Sequence, residues 1–128
     1  MSAVSGLHEF VFSAQVAERE RLMAFWSQLG FVPETEGSLT SGKADALYGH
    51  ASTLQSVRLR HSGSRAYETG LVRLQFWEEL SGEGLGARKP LLTGSRWMGM
   101  YTADILEVRD GLKAYNCEAR ERWLSQLV

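Results

Sequence analysis

Two short stretches limit the fold of this chain more than anything else in it. Residues 54–61 (LQSVRLRH) and 71–77 (LVRLQFW) alternate with a period of two. In the first, Val57 and Leu59 share one face while Arg58 and Arg60 share the other. In the second, Val72, Leu74 and Phe76 oppose Arg73, Gln75 and Trp77. Such segments are half-buried strands, each with one apolar face that another layer must cover. The covering layer is present upstream. Residues 16–29 place Leu22, Phe25, Trp26 and Leu29 at i, i+3, i+4 and i+7, one apolar helical stripe, and Gly30 follows as a C′ glycine.

The remaining segments are read around this frame. Residues 7–13 (LHEFVFS) form a strand by aromatic and β-branched content, with His8, Phe10 and Phe12 on one face. Residues 31–33 start the chain back, 36–42 read as a Gly/Ser/Thr loop, and 46–51 read as a short strand. Residues 61–64 are a turn. The expected order is β-α-β-β-β. A Gly-rich linker spans 81–95; its GEGLG run lacks the lysine and the strand–loop–helix setting of a phosphate loop. Residues 96–102 (RWMGMYT) read as a strand. Asp104 then reads as a helix N-cap, with Glu107 completing a capping box. Leu112, Tyr115, Ala119, Trp123 and Leu127 lie near one stripe of the helical segment after it, which Gly111 and Asn116 weaken and divide. Residues 8–15 and 97–104 can be laid over each other, each a strand running into a helix start, as in two copies of one unit.

Composition narrows the function classes. A chain of 128 residues, 44% hydrophobic, fits one domain with a core of its own. A net charge of -1 gives no pull toward phosphate backbones, so nucleic acid is not an expected partner. The single cysteine, Cys117, forms no internal disulfide and no Cys-rich zinc site, which fits a reducing, cytoplasmic setting. Residues 1–12 have no basic leader and include His8 and Glu9, and no apolar run reaches the roughly 18 residues of a membrane span.

The segment Phe25-Trp26-Ser27-Gln28-Leu29-Gly30-Phe31 resembles the F-[YW]-x-x-L-G-F signature that closes the first helix in the glyoxalase/bleomycin resistance protein/dioxygenase (vicinal oxygen chelate) superfamily. The preceding strand with His8 and the later LVRLQFW strand fall in that family's order. The resemblance covers about residues 7–80 well and 96–115 loosely. It implies an α+β fold of βαβββ modules, forming a curved mixed sheet around a cavity with helices outside. Module one would span about 7–80, the linker 81–95, and a partial second module 96–128, all within one domain. From Arg96 on there are 33 residues, room for a strand and a helix but not for three further strands. The resemblance therefore implies a short second module and an open sheet edge. An open edge is a liability, so a homodimer is expected, with domain swapping as one route to it.

Catalytic relatives hold a divalent metal through His or Gln on the first strand of each module and Glu on the last. On this chain the first position falls on His8, the fourth-strand position on Gln75, and the fifth-strand position on Trp97, which cannot ligate. His8 and Gln75 are thus the candidate ligands, and they are too few for a metal within one chain; none is expected. His50 and His61 read as solvated turn histidines, and the adjacent Glu78 and Glu79 point to opposite faces. Cys117 has no neighbouring histidine and no nucleophile motif is present. The positive signal is the polar sheet face, with Arg58, Arg60, Arg73, Gln75 and Trp77, which His8, Phe10, Phe12 and Trp97 are expected to join. Arginines beside aromatics suit a flat aromatic or anionic ligand. The expected function is a metal-free small-molecule-binding or sequestering protein, with its cavity on the concave sheet face at a dimer interface. The alternatives are a metal-dependent lyase, isomerase or dioxygenase, and a protein-interaction module docking through the C-terminal segment with Trp123.

Overall fold

The structure is a computed structural model that describes residues 7–65, 69–82 and 102–113. The chain divides into two compact units, residues 1–86 and 87–128. In the first unit, strand β1 (Glu9–Gln15) runs through one turn of 3-10 helix (Val16–Glu18) into α1 (Arg19–Gln28). Strand β2 (Phe31–Leu39), helix α2 (Ser41–Tyr48), and strands β3 (Leu54–His61) and β4 (Leu71–Trp77) follow. In the second unit, α3 spans Ile105–Lys113. The sheet order is β1-β4-β3-β2. β1 is parallel to β4, and the other two pairings are antiparallel. The fold class is α+β, as the sequence implies, with a mixed four-stranded sheet.

The ladder decides which side chains share a face. Phe12 lies opposite Leu74, and Val57 opposite Leu74 from the other side. The apolar face therefore holds Phe10, Phe12, Val57, Leu59, Val72, Leu74 and Phe76. Val57, Leu59, Val72, Leu74 and Phe76 are at most 1% exposed. Helix α1 lies against this face. Its Trp26 is buried, with ring centroids 5.7 Å from Phe12, 5.6 Å from Phe25 and 5.2 Å from Phe31. Each large side chain buried here contributes roughly 1.5–3 kcal/mol. Gly30 turns the chain out of α1 at φ 82°, where a Cβ would come within 2.7 Å of His61 Nε2. Position 30 needs glycine both for its backbone angle and for its space.

Two expectations for residues 31–51 are corrected. Residues 36–42 are not a loop, since most of them belong to β2. Residues 46–51 are not a strand, since α2 runs to Tyr48 and closes on Gly49 in the left-handed region at φ 68°. The observed order is therefore β-α-β-α-β-β. β2 is the outer strand of the sheet, mostly exposed, and irregular between Pro33 and Thr35. An edge strand tolerates proline and needs no apolar alternation, so its period is invisible in composition. Helix α2 packs over the other face of the sheet at one end, where buried Ala44 meets Leu54 and Trp77, flanked by Leu39.

In the second unit, Asp104 caps α3 as expected. Its Oδ1 accepts the backbone N–H groups of Leu106 (3.0 Å) and Glu107 (2.9 Å). Glu107 does not close a capping box, because Thr102 Oγ1 takes the Asp104 N–H at 3.2 Å. The expected strand at 96–102 and the stripe beyond Leu112, including Trp97, Cys117 and Trp123, lie outside the described residues apart from Thr102, which is not in a strand.

Candidate polar face of the sheet

The face opposite α1 carries the chemistry. Along β4 it presents Arg73, Gln75 and Trp77; along β3, Ser56 and Arg58; along β1, Glu9, Val11 and Ser13. Arg58 and Arg73 stand directly across from each other. Like charges in that position repel. Each is neutralised from the neighbouring outer strand. Arg73 forks onto Glu9, with Nε to Oε1 at 2.8 Å and Nη2 to Oε2 at 3.0 Å. Its Nη1 donates to Ser56 Oγ at 3.1 Å. Arg58 Nε donates to Glu34 Oε2 at 2.9 Å. Across the four strands the charges thus run carboxylate, guanidinium, guanidinium, carboxylate. Arg60 adds a looser contact, 3.8 Å from Glu34 Oε1, and donates to the carbonyls of His61 (3.2 Å) and Ser64.

The fork has an electrostatic signature. The Glu9 carboxyl is held below its ordinary range, first by the hydrogen bonds from Arg73, against the opposing cost of burial, and then by the charges of Arg73, His8 and Arg58. Arg73 is raised in turn, chiefly by its hydrogen bond to Glu9.

Beside this rung sits a neutral polar chain. Ser13 Oγ donates to Gln75 Oε1 at 3.3 Å, and Gln75 Nε2 donates to Tyr48 Oη at 3.1 Å. Gln75 is only 7% exposed, while Tyr48 at the end of α2 is 49% exposed. Tyr48 and His50 both stand edge-on to Trp77, at 5.6 and 5.2 Å between centroids. His50 Nε2 donates to the Glu79 carbonyl at 2.8 Å.

Several expected site residues change their places. Phe10 and Phe12 lie on the apolar face with α1, and strand alternation puts His8, one residue before β1, on that side too. The three do not join Arg73 and Gln75. The register with β4 turns Glu9, Val11 and Ser13 to the polar face instead. Trp77 is on the polar face but 6% exposed, roofed by α2 and His50, so it offers no open stacking surface. Arg58, Arg60, Arg73 and Gln75 are where the sequence places them, but each is already engaged. Glu9, Glu34 and Tyr48 were missed. A detectable signal existed for the glutamates, since arginines on a half-buried face demand counter-charges. His50 is tied to β4's exit rather than freely solvated. His61 is exposed, and its Nδ1 accepts the Gly63 N–H at 3.1 Å.

Among the described residues, the two candidate ligands are not brought together: Gln75 is on the polar face, and strand alternation carried back from β1 sets His8 on the other. On the polar face the carboxylates of Glu9 and Glu34 are held by arginines. Among the described residues, no three His, Cys, Asp or Glu side chains gather as they would around a metal ion. No helix among them is long and apolar enough to cross a membrane. On the apolar side, a shallow open cleft of about 450 Å³ is lined by Arg19, Glu36, Gly37, Ser38 and Gln55. Arg19 spans it, bonded to Gln55 and Glu36 and lying 5.4 Å over the Phe76 ring.

No protein-family model matches the chain, and no curated protein matches it. A crystal structure of a glyoxalase family protein from Bacillus cereus is similar in fold, with a TM-score of 0.54 at 11% sequence identity. The match covers 90% of this chain and 73% of that one. At this identity the likeness is one of fold, and the chain has a glyoxalase-like α+β fold.

Proposed function

We propose that this chain binds a small, flat organic molecule on the polar face of its sheet, and that it does so without a metal. One observation carries the reading. Glu9, Glu34, Arg58, Arg60 and Arg73 stand on one face with side chains 15–27% exposed, cross-tied before any ligand arrives. Donors held in place cost little further ordering on binding. Because Glu9 occupies the Arg73 fork and Glu34 takes the Arg58 Nε–H, a neutral ring lying on the guanidinium planes fits better than an anion, which would have to displace a carboxylate. Working as a cytoplasmic homodimer belongs to the same proposal. Among the described residues β1 pairs with β4 alone, and its Val11 and Phe12 are 50% and 40% exposed.

The test is the melting temperature against flat aromatic compounds and against Mn²⁺, Fe²⁺, Ni²⁺ and Zn²⁺. A ligand at 100 times its Kd adds about 2.7 kcal/mol, a rise of roughly 8–10 °C for a protein of this size. The proposal expects a rise with an aromatic compound that shrinks in Arg58→Met. A rise with metals alone, abolished in His8→Ala, would replace it with the metal-dependent enzyme reading.

A further inference from the structure

We infer that the Tyr48 hydroxyl is the donor that selects the ligand, so that the polar face takes a flat molecule bearing a hydrogen-bond acceptor such as a carbonyl. This rests on the small-molecule reading above and specifies its ligand class. Ser13 and Gln75 are register partners on the parallel pair of strands, and Ser13 Oγ donates to Gln75 Oε1. That contact orients the buried amide so that Nε2 faces Tyr48. An amide nitrogen only donates, so the phenol oxygen accepts, at 3.1 Å. The hydroxyl's own proton must then point elsewhere, and it has no acceptor among the described residues. The ring rests edge-on against Trp77, at 85°, and ends α2 just before Gly49. Half the residue is nevertheless open. The result is a half-exposed hydroxyl with a proton to give, one step along the face from the Arg58–Arg73 rung, because Gln75 and Arg73 are successive same-face residues of β4. A ring lying on the guanidinium planes would place a substituent at that hydroxyl.

The probes are acetophenone and ethylbenzene, a phenyl ring bearing the same two-carbon side chain with and without a carbonyl oxygen. Wild type should bind acetophenone about three- to tenfold more tightly, the worth of one net hydrogen bond. Tyr48→Phe, which keeps the ring on Trp77, should remove that preference. Gln75→Glu is the sharper variant. A buried carboxylate in place of the amide would accept the Tyr48 proton, turning the hydroxyl inward, so the preference should fall although the hydroxyl remains. Equal wild-type affinity for the two probes would overturn the inference while sparing the binding proposal. A preference that survives Tyr48→Phe would place the donor elsewhere and also overturn it. Failure of both probes to bind would remove the binding proposal itself, and this inference with it.

Discussion

Replacing Glu9 by Gln tests the charge arrangement at its most exposed joint. The substitution keeps the side chain's shape and removes its charge. It weakens two charge-assisted hydrogen bonds of the fork onto Arg73 and leaves Arg73 facing Arg58 with one counter-charge fewer. Exposed ion pairs are worth about 0–1 kcal/mol, and breaking a fully buried one costs about 3–5 kcal/mol. With side chains 27% and 21% exposed, this pair falls between the two, and repulsion across β3 and β4 adds a few tenths. The expected loss is about 1.5 kcal/mol. With a urea m-value of about 1.5 kcal/mol/M, the unfolding midpoint falls by roughly 1 M. The pH dependence has a definite sign. Glu9's carboxyl is depressed in the folded state, so its contribution is present above the unfolded carboxylate range and lost as pH falls through the folded value. Wild type should therefore lose its advantage over Glu9→Gln on acidification, and the two unfolding curves should converge. A midpoint change under about 0.2 M at neutral pH, or a gap that persists in acid, would refute the fork as a stabilising element.

Three other outcomes follow from the same structure. Gly30→Ala must place a Cβ at positive φ and 2.7 Å from His61 Nε2, so urea unfolding should show a loss of more than about 1 kcal/mol. In Gly30→Ala/His61→Ala the steric part should be recovered and the backbone part should remain. Asp104→Ala removes the acceptor for two N–H groups of α3 and should cost about 1 kcal/mol, read as faster amide exchange at Leu106 and Glu107. Trp26→Ala empties the centre of the aromatic cluster between α1 and the sheet and should cost about 3–5 kcal/mol, measured by urea unfolding.

What was legible in the sequence follows the physics of burial. Strands β3 and β4 match the residues read from alternation, because one face of each is pressed against the core. The end of α1 was readable from its stripe and Gly30. β2 was not, because an outer strand with a bulge and little burial carries no periodic mark; it is held by its ladder to β3 rather than by its own composition. The error on β1 is instructive. Alternation shows that Phe10 and Phe12 share a face but not which face it is. Their apolar character already argued for the side of Val72, Leu74 and Phe76, and the register with β4 places them there. Glu9 and Glu34 were missed because they lie 64 and 24 residues from the arginines they hold. Only strand order brings them together.

The proposed ligand lies on the polar face and not in the cleft lined by Arg19, Glu36 and Gln55. The direct measurement is a nuclear magnetic resonance titration with acetophenone, following side-chain rather than backbone signals, since backbone amides of one strand report both faces alike. The expected result is movement of the Gln75 side-chain amide and the Nε–H groups of Arg58 and Arg73, with the Gln55 side-chain amide and Arg19 Nε–H, which line the cleft, unmoved. Movement of the Gln55 and Arg19 signals, with the Gln75, Arg58 and Arg73 signals still, would contradict it.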